Sequence, residues 1–201
     1  MIRIGRDTLS VVLEIEGRDR MKAVIVYESM FGNTRAIAGA IAEGLGAMCD
    51  TEVVGVAEAE RRTIDDADLL VVGGPTHAWG MSRPSTRKGA PSYASKPGSD
   101  LVLEPGADSG PGVREWMASL GRVDGRAAAF DTRLRAPAAL TGRASKGIGK
   151  ELSEHGLELV MSPQSFFVTK KNHLLAGESE RARAWGAQLA TMIESSGISQ
   201  V

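Results

Sequence analysis

Apolar residues in this chain come in short blocks separated by polar, glycine-rich joints, and two periods alternate along it. Ala23-Val-Ile-Val-Tyr27 is a continuous apolar run, the pattern of a strand covered on both faces. From Thr34 to Leu45 the apolar positions Ile37, Ile41 and Leu45 fall four apart, one stripe of a helix. Thr51 to Val56 predicts a second strand, and Leu69-Leu-Val-Val72, closed by Gly73-Gly74-Pro75, a third. Val113 to Leu120 reads as a helix, Ala127-Ala-Ala-Phe130 as a fourth strand and Lys146 to His155 as another helix. Leu157 to Val168 supplies a fifth strand interrupted around Pro163. Glu178 to Ile193 closes the pattern as a helix with Ala182, Trp185, Leu189 and Met192 on one face.

Residues 75–111 break this rhythm. Six of the eight prolines lie there, so no long helix or strand is expected, and a loop of that length in a compact domain is usually functional or disordered. Strands that alternate with helices require crossover connections and a parallel sheet. Five of them suit a doubly wound sheet in the order 2-1-3-4-5, a single α/β domain. Ligands in such a sheet sit beyond the carboxyl ends of the strands, between the first and third.

Composition narrows the function classes. The 24 Lys+Arg nearly cancel 25 Asp+Glu over 201 residues, so net charge predicts neither nucleic-acid nor membrane binding. No uninterrupted apolar run approaches the roughly 20 residues of a membrane helix. The first 20 residues are broken by Arg6, Asp7, Glu14 and Glu16, which argues against a signal peptide. They read as a dispensable extension, with Leu9 to Ile15 as an optional extra strand and the working domain over 21–201. The lone Cys49 has no disulfide partner, which fits a cytoplasmic protein. His77, His155 and His173 are scattered and no metal site is expected.

Candidate chemistry begins at Glu28-Ser29-Met30-Phe31-Gly32-Asn33-Thr34, between the first strand and its helix. A phosphate monoester needs converging N–H and O–H donors, which a loop entering a helix N-terminus supplies, aided by the helix dipole. Ser29, Asn33 and Thr34 add side-chain donors, and Gly32 allows close backbone approach. The loop holds no Lys or Arg, and neither G-x-x-x-x-G-K-[ST] nor G-x-G-x-x-G occurs there. The same residues equally suit an N-cap that binds nothing.

Ser-x-x-Gly-Asn-Thr in this position resembles the phosphate loop of the flavodoxin family, a resemblance that extends over roughly Met21 to Ile193. It implies a flavodoxin-like fold and a non-covalent site for flavin mononucleotide (FMN), with Ser29, Met30, Phe31, Gly32, Asn33 and Thr34 on its phosphate. Pro75-Thr76-His77-Ala78-Trp79-Gly80 resembles the family's second flavin loop and is carried over by position. Trp79 offers a stacking face and His77 a hydrogen bond, while Gly80 suits a backbone that approaches or flips beside the ring. Packing over the core edge is the plainer role for Trp79, and stabilising a turn for His77. The loop after the fourth strand, with Asp131, Thr132 and Arg133, departs from the family in carrying no aromatic beyond Phe130. These three are plausible flavin contacts, and the bare loop leaves room for a substrate.

Arg83, Arg87, Lys88 and Lys96, then Arg133, Arg135, Arg143, Lys146 and Lys150, occur in two stretches without an acid. Placed at the pocket mouth, they would favour the reduced, anionic flavin by about 1–4 kcal/mol and raise its potential. They would also attract an acidic redox partner protein or NAD(P)H. Ordinary solvated charge is the alternative. The resulting expectation is an electron-transfer flavoprotein with no catalytic residue of its own. The alternatives are an FMN-dependent NAD(P)H oxidoreductase acting on a quinone, and a flavin-free module on the same fold.

Overall fold

The computed structural model describes residues 20–198. The extension expected over 1–20, with its optional strand Leu9 to Ile15, therefore lies outside the described residues except for Arg20. The elements are β1 (Met21–Tyr27), α1 (Asn33–Leu45), β2 (Cys49–Gly55), α2 (Arg61–Asp65), β3 (Leu69–His77), β4 (Gly80–Met81), α3 (Pro84–Arg87) and α4 (Ala90–Ala94). They continue with α5 (Val113–Leu120), β5 (Gly125–Leu134), α6 (Ala138–Thr141), α7 (Ala144–Glu154), β6 (Leu157–Leu159), β7 (Gln164–Val168) and α8 (Glu178–Ile198).

The main sheet is parallel, in the order β2-β1-β3-β5, with β6 and β7 in turn along the outer edge of β5. This is the expected 2-1-3-4-5 order with its fifth position split. Gly125 pairs with Leu157 but Phe130 with Gln164, so two extra residues bulge between the halves, at Pro163 where the run was broken. Among the described residues no helix is long and apolar enough to cross a membrane.

Strict alternation divides the central strands β1, β3 and β5 between two cores. Ala23 and Ile25 face one side with Ile37, Ile41 and Leu189; Val24 and Val26 face the other with Met117, Ile148 and Leu152. On the first side the rings of Phe130, Phe166 and Trp185 meet edge to face at 6.1–6.5 Å.

Three expectations need correction. First, Gly73-Gly74-Pro75 does not close β3, which continues to His77 and pairs with β5 as far as Pro75↔Thr132. Gly73 is a packing residue: a Cβ there would stand 2.1 Å from Cζ of Phe130, so its absence admits the ring across the strand pair. Second, Asp131, Thr132 and Arg133 form no loop, because β5 runs on to Leu134 and buries all three. Third, the prolines of 75–111 start short helices as well as breaking long ones, since Pro84 and Pro91 occupy first-turn positions that lack nothing by lacking an N–H. The helices α2 and α6 were not expected at all.

Candidate functional site

Where β1, β3 and β5 end, their loops and the 85–101 and 168–172 segments enclose a cavity of about 830 Å³. Of the sequence-predicted residues it gathers Ser29, Met30, Phe31, Asn33, Thr34, Pro75, Thr76, His77, Ala78, Thr132 and Arg133. Gly32, Trp79, Gly80 and Asp131 stand outside its lining.

The first wall forms because the chain leaves β1 tied to β3, through Glu28 N–H donating to the Gly73 carbonyl at 2.9 Å. Gly32 then takes φ +85°, a left-handed conformation suited to glycine, and serves as the N-cap of α1. It has no side chain with which to cap, so the first N–H groups of α1 are left to the cavity. The Ser29 hydroxyl is committed to Gly32 N–H at 3.1 Å. Thr34 and Thr132, both buried, bring their hydroxyl oxygens to 2.8 Å. One hydroxyl donates to the other, and the second hydroxyl's proton has no acceptor among the described residues.

On the second wall, β3 turns back into β4 through Ala78 (φ +44°) and Trp79 (φ +70°). Two left-handed residues in a two-residue hairpin is the geometry usually built from Asn-Gly, so this turn is strained. The left-handed conformations of this turn fall on Ala78 and Trp79 and not on Gly80. Gly142 packs against the turn, where a Cβ would stand 2.1 Å from the Trp79 carbonyl oxygen, so only glycine leaves room for the Trp79 backbone. The result points Trp79 outward, 67% exposed, onto a smaller cavity of about 230 Å³ shared with Arg133, Leu134, Leu140 and Thr141. The aromatics that do line the main cavity are Phe31, in the first loop, and Tyr93, on α4.

Thr76, which lines the cavity, and Asp131, which does not, each commit a side-chain oxygen to another element. Thr76 Oγ1 accepts from Ala144 N–H at 2.9 Å and Asp131 Oδ2 from Ser145 N–H at 2.7 Å, so both hold the N-terminus of α7. The Arg133 guanidinium lies over the Phe167 ring and donates to the Leu134 and Ala136 carbonyls and the Thr141 hydroxyl, latching the 134–141 segment.

Below the cavity lies a buried polar network that sequence reasoning missed. Arg87 donates to Ser82 Oγ (3.0 Å) and the Gly110 carbonyl (3.2 Å) and pairs with Glu115 at 2.9 Å. Glu28 Oε2 accepts from Val113 N–H at 2.9 Å. Burial pushes the Glu28 carboxyl above the usual carboxylate range, against weaker pulls from Ser82, the Val113 N–H and Arg87. Burial, helped by Arg87, holds His77 below the usual histidine range. His77 therefore contributes stability above that range which is lost as pH falls through its depressed pKa. An NMR titration is expected to place its midpoint below 6.5. His77→Gln should flatten the matching acid limb of the stability profile.

The basic ring at the mouth is only partly as expected. Lys96 and Arg133 line the cavity, Arg87 turns inward, and Lys150 pairs with Glu154 on α7. Lys170 and Lys171, which the sequence pattern did not single out, join the lining from the loop after β7. Their only advance signal was Asn172, a residue type that tolerates the left-handed turn (φ +62°) that shapes this loop.

Among known families, the flavodoxin model matches residues 25–93, which include the first two site loops. No curated protein sequence matches. Solved structures are similar in fold: a flavodoxin from the domain Archaea (20% identity, TM-score 0.59, covering 87% of this chain and 99% of that one). Flavodoxin 1 from Bacillus cereus is comparable (20%, 0.56, 85% and 97%). So is a flavodoxin, WrbA-like protein from Agrobacterium tumefaciens (20%, 0.55, 87% and 98%). With that family match over residues 25–93 and this sheet order throughout, the chain has a flavodoxin-like fold.

Proposed function

We propose that the cavity holds FMN without a covalent bond and that the protein carries electrons through it, as a flavodoxin-type electron-transfer protein. The observation that supports this most directly is the buried Thr34–Thr132 hydroxyl pair with its unspent proton, beside a helix N-terminus that no side chain caps. Such a donor set asks for an acceptor with several lone pairs, and a phosphate monoester is one. The volume, about 830 Å³, also lies in the range that suits a ligand of this size, roughly 300–1,000 Å³.

When bound, FMN supplies the one- and two-electron chemistry. The protein's part is binding and placement. Ser29 to Thr34 and Thr132 hold the phosphate end, Pro75 to Ala78 form the opposing wall, and Tyr93 lines the cavity from α4. His77, kept neutral by burial, gives the pocket a hydrogen-bonding edge without adding charge. Exposed Trp79, Leu134 and Leu140 lie together beside the mouth, with exposed Arg135 and Lys146 in the adjoining segment. That surface suits an acidic redox partner protein.

The test is titration of the flavin-free protein with FMN, followed by flavin fluorescence and absorbance. Quenching with a saturable isotherm is expected. Thr34→Val, which keeps the shape but removes the buried donor, should weaken binding by about tenfold or more. Absence of FMN binding by the unaltered protein would overturn the reading. The second reading, an FMN-dependent NAD(P)H oxidoreductase acting on a quinone, draws on the 85–101 wall, which widens the cavity beyond the two flavin loops. Steady NAD(P)H oxidation with a quinone and no added reductase would favour it over the carrier.

A further inference from the structure

The loop after β7 carries positive charge to the wall that holds the first helix turn, and it is fastened there. The Asn33 side-chain amide donates to the Asn172 carbonyl at 2.7 Å and approaches the Asn172 side-chain oxygen at 3.3 Å. Thr169 and Asn172 close the loop on itself, with Asn172 N–H donating to the Thr169 carbonyl at 2.9 Å and Thr169 N–H to the His173 carbonyl at 2.8 Å. This places Lys170 and Lys171 in the lining of the same cavity as Ser29, Asn33 and Thr34.

The neighbouring charges are already engaged. Glu104 pairs with Arg35 at 2.8 Å, and Asp100 faces His173 at 3.2 Å. Lys96 lies over the Tyr93 ring, 4.2 Å from its centre. Lys170 and Lys171 form no ion pair among the described residues. The wall therefore carries two uncommitted positive charges, and beside them a nine-tenths-buried hydroxyl pair with a proton to donate. Neutral donors and the helix N-terminus can hold a phosphate by themselves, but they leave its charge uncompensated. Two lysines added to them match a phosphate monoester, which carries about two negative charges near neutral pH.

We infer that the 169–172 loop is a cationic clamp, in which Lys170 and Lys171 neutralise the phosphate held by the α1 N-terminus and the Thr34–Thr132 pair. This rests on the FMN reading and deepens it: the clamp makes the site selective for the phosphorylated flavin over riboflavin. The Asn33–Asn172 bond sets the position of the lysines, and the lysines, being exposed, contribute through charge rather than packing.

Binding of FMN and of riboflavin is measured for the unaltered full chain and for Lys170→Gln/Lys171→Gln, at low and at high salt. Both positions are exposed, so the variant is expected to fold. FMN should bind the variant about ten- to thirtyfold more weakly while riboflavin changes by about twofold or less. The salt dependence of FMN affinity should also become shallower in the variant. An unchanged ratio of FMN to riboflavin affinity, with FMN still bound by the unaltered chain, overturns the clamp and leaves the flavin site standing. If the unaltered chain binds neither flavin, the site reading falls and the clamp with it.

Discussion

Gly44→Ala is expected to destabilise the protein by roughly 3–5 kcal/mol, a large part of a typical folding free energy. A Cβ at Gly44 would stand 2.0 Å from the Arg183 carbonyl oxygen and 2.9 Å from the Ala187 nitrogen, both backbone atoms of α8. The reciprocal contact is as close, since a Cβ at Gly186 would meet the Ile41 carbonyl oxygen at 2.3 Å. Neither helix can yield at these points by rotating a side chain. The pair must separate, and the packing of Ile37, Ile41 and Leu45 against Ala182, Trp185 and Leu189 is lost with it. Alanine's better helix propensity returns only about 1 kcal/mol. Gly39→Ala in the same helix is the control, because nothing lies within 4 Å of its Cβ position. It should stabilise by about 0.5–1 kcal/mol. Urea denaturation of the two variants checks both signs. Equal midpoints would show that the helices are free to adjust. Because α1 opens at Asn33, any separation should also weaken ligand binding at its start.

Arg87→Met is the second large effect, and it acts through charge. The guanidinium is 3% exposed and serves Glu115, Ser82 and the Gly110 carbonyl at once. Removing it leaves the buried Glu28 carboxylate without its nearby cation and Glu115 without its partner. Stripping one side of a fully buried pair costs about 3–5 kcal/mol, and because Glu115 keeps 34% of its side chain exposed the loss falls at the low end of that range. Gly112 leaves little room for rearrangement, since a Cβ there would meet Arg87 Nη1 at 2.4 Å and Glu28 Oε2 at 2.8 Å. The loss should appear in thermal denaturation and as proteolytic cleavage within 82–111, the segment that the network fastens to the sheet. Adding Glu28→Gln and Glu115→Gln to the variant should restore most of the stability, because the uncompensated charges disappear together. If the triple variant is no better than Arg87→Met, the cost lies in lost packing.

The fold was largely legible from the sequence, for a local reason. Val24 and Val26 go to one core and Ala23 and Ile25 to the other, so β1 had to be apolar throughout, and Ile37, Ile41 and Leu45 had to share one stripe. Those patterns are visible without knowing any neighbour. The extents of β3 and β5 were not, because Gly73 looks like a turn residue until the Phe130 ring is seen above it. In the site, residues adjacent in sequence and close to a strand end were found together, as with Ser29 to Thr34 and Pro75 to Ala78. Asp131 and Thr76 were assigned to the ligand although their polar atoms hold α7, a helix start 13 and 68 residues further on (144 − 131 and 144 − 76). Trp79 has the right chemistry for stacking, but its orientation depends on two left-handed residues and on Gly142, a contact across 63 positions (142 − 79).

By itself the sequence determined the alternation of elements, the strand order it implies, and the loop chemistry at the first two strand ends. Each of these depends on periodicity and residue type within a few positions. Tertiary structure alone decided which charges meet. It turned Arg87 inward to Glu115, spent Arg133 on the 134–141 segment, and brought Lys170 and Lys171 to Asn33 across almost the whole domain. A side chain's partner is set by which distant elements the sheet makes neighbours, and no local period encodes that.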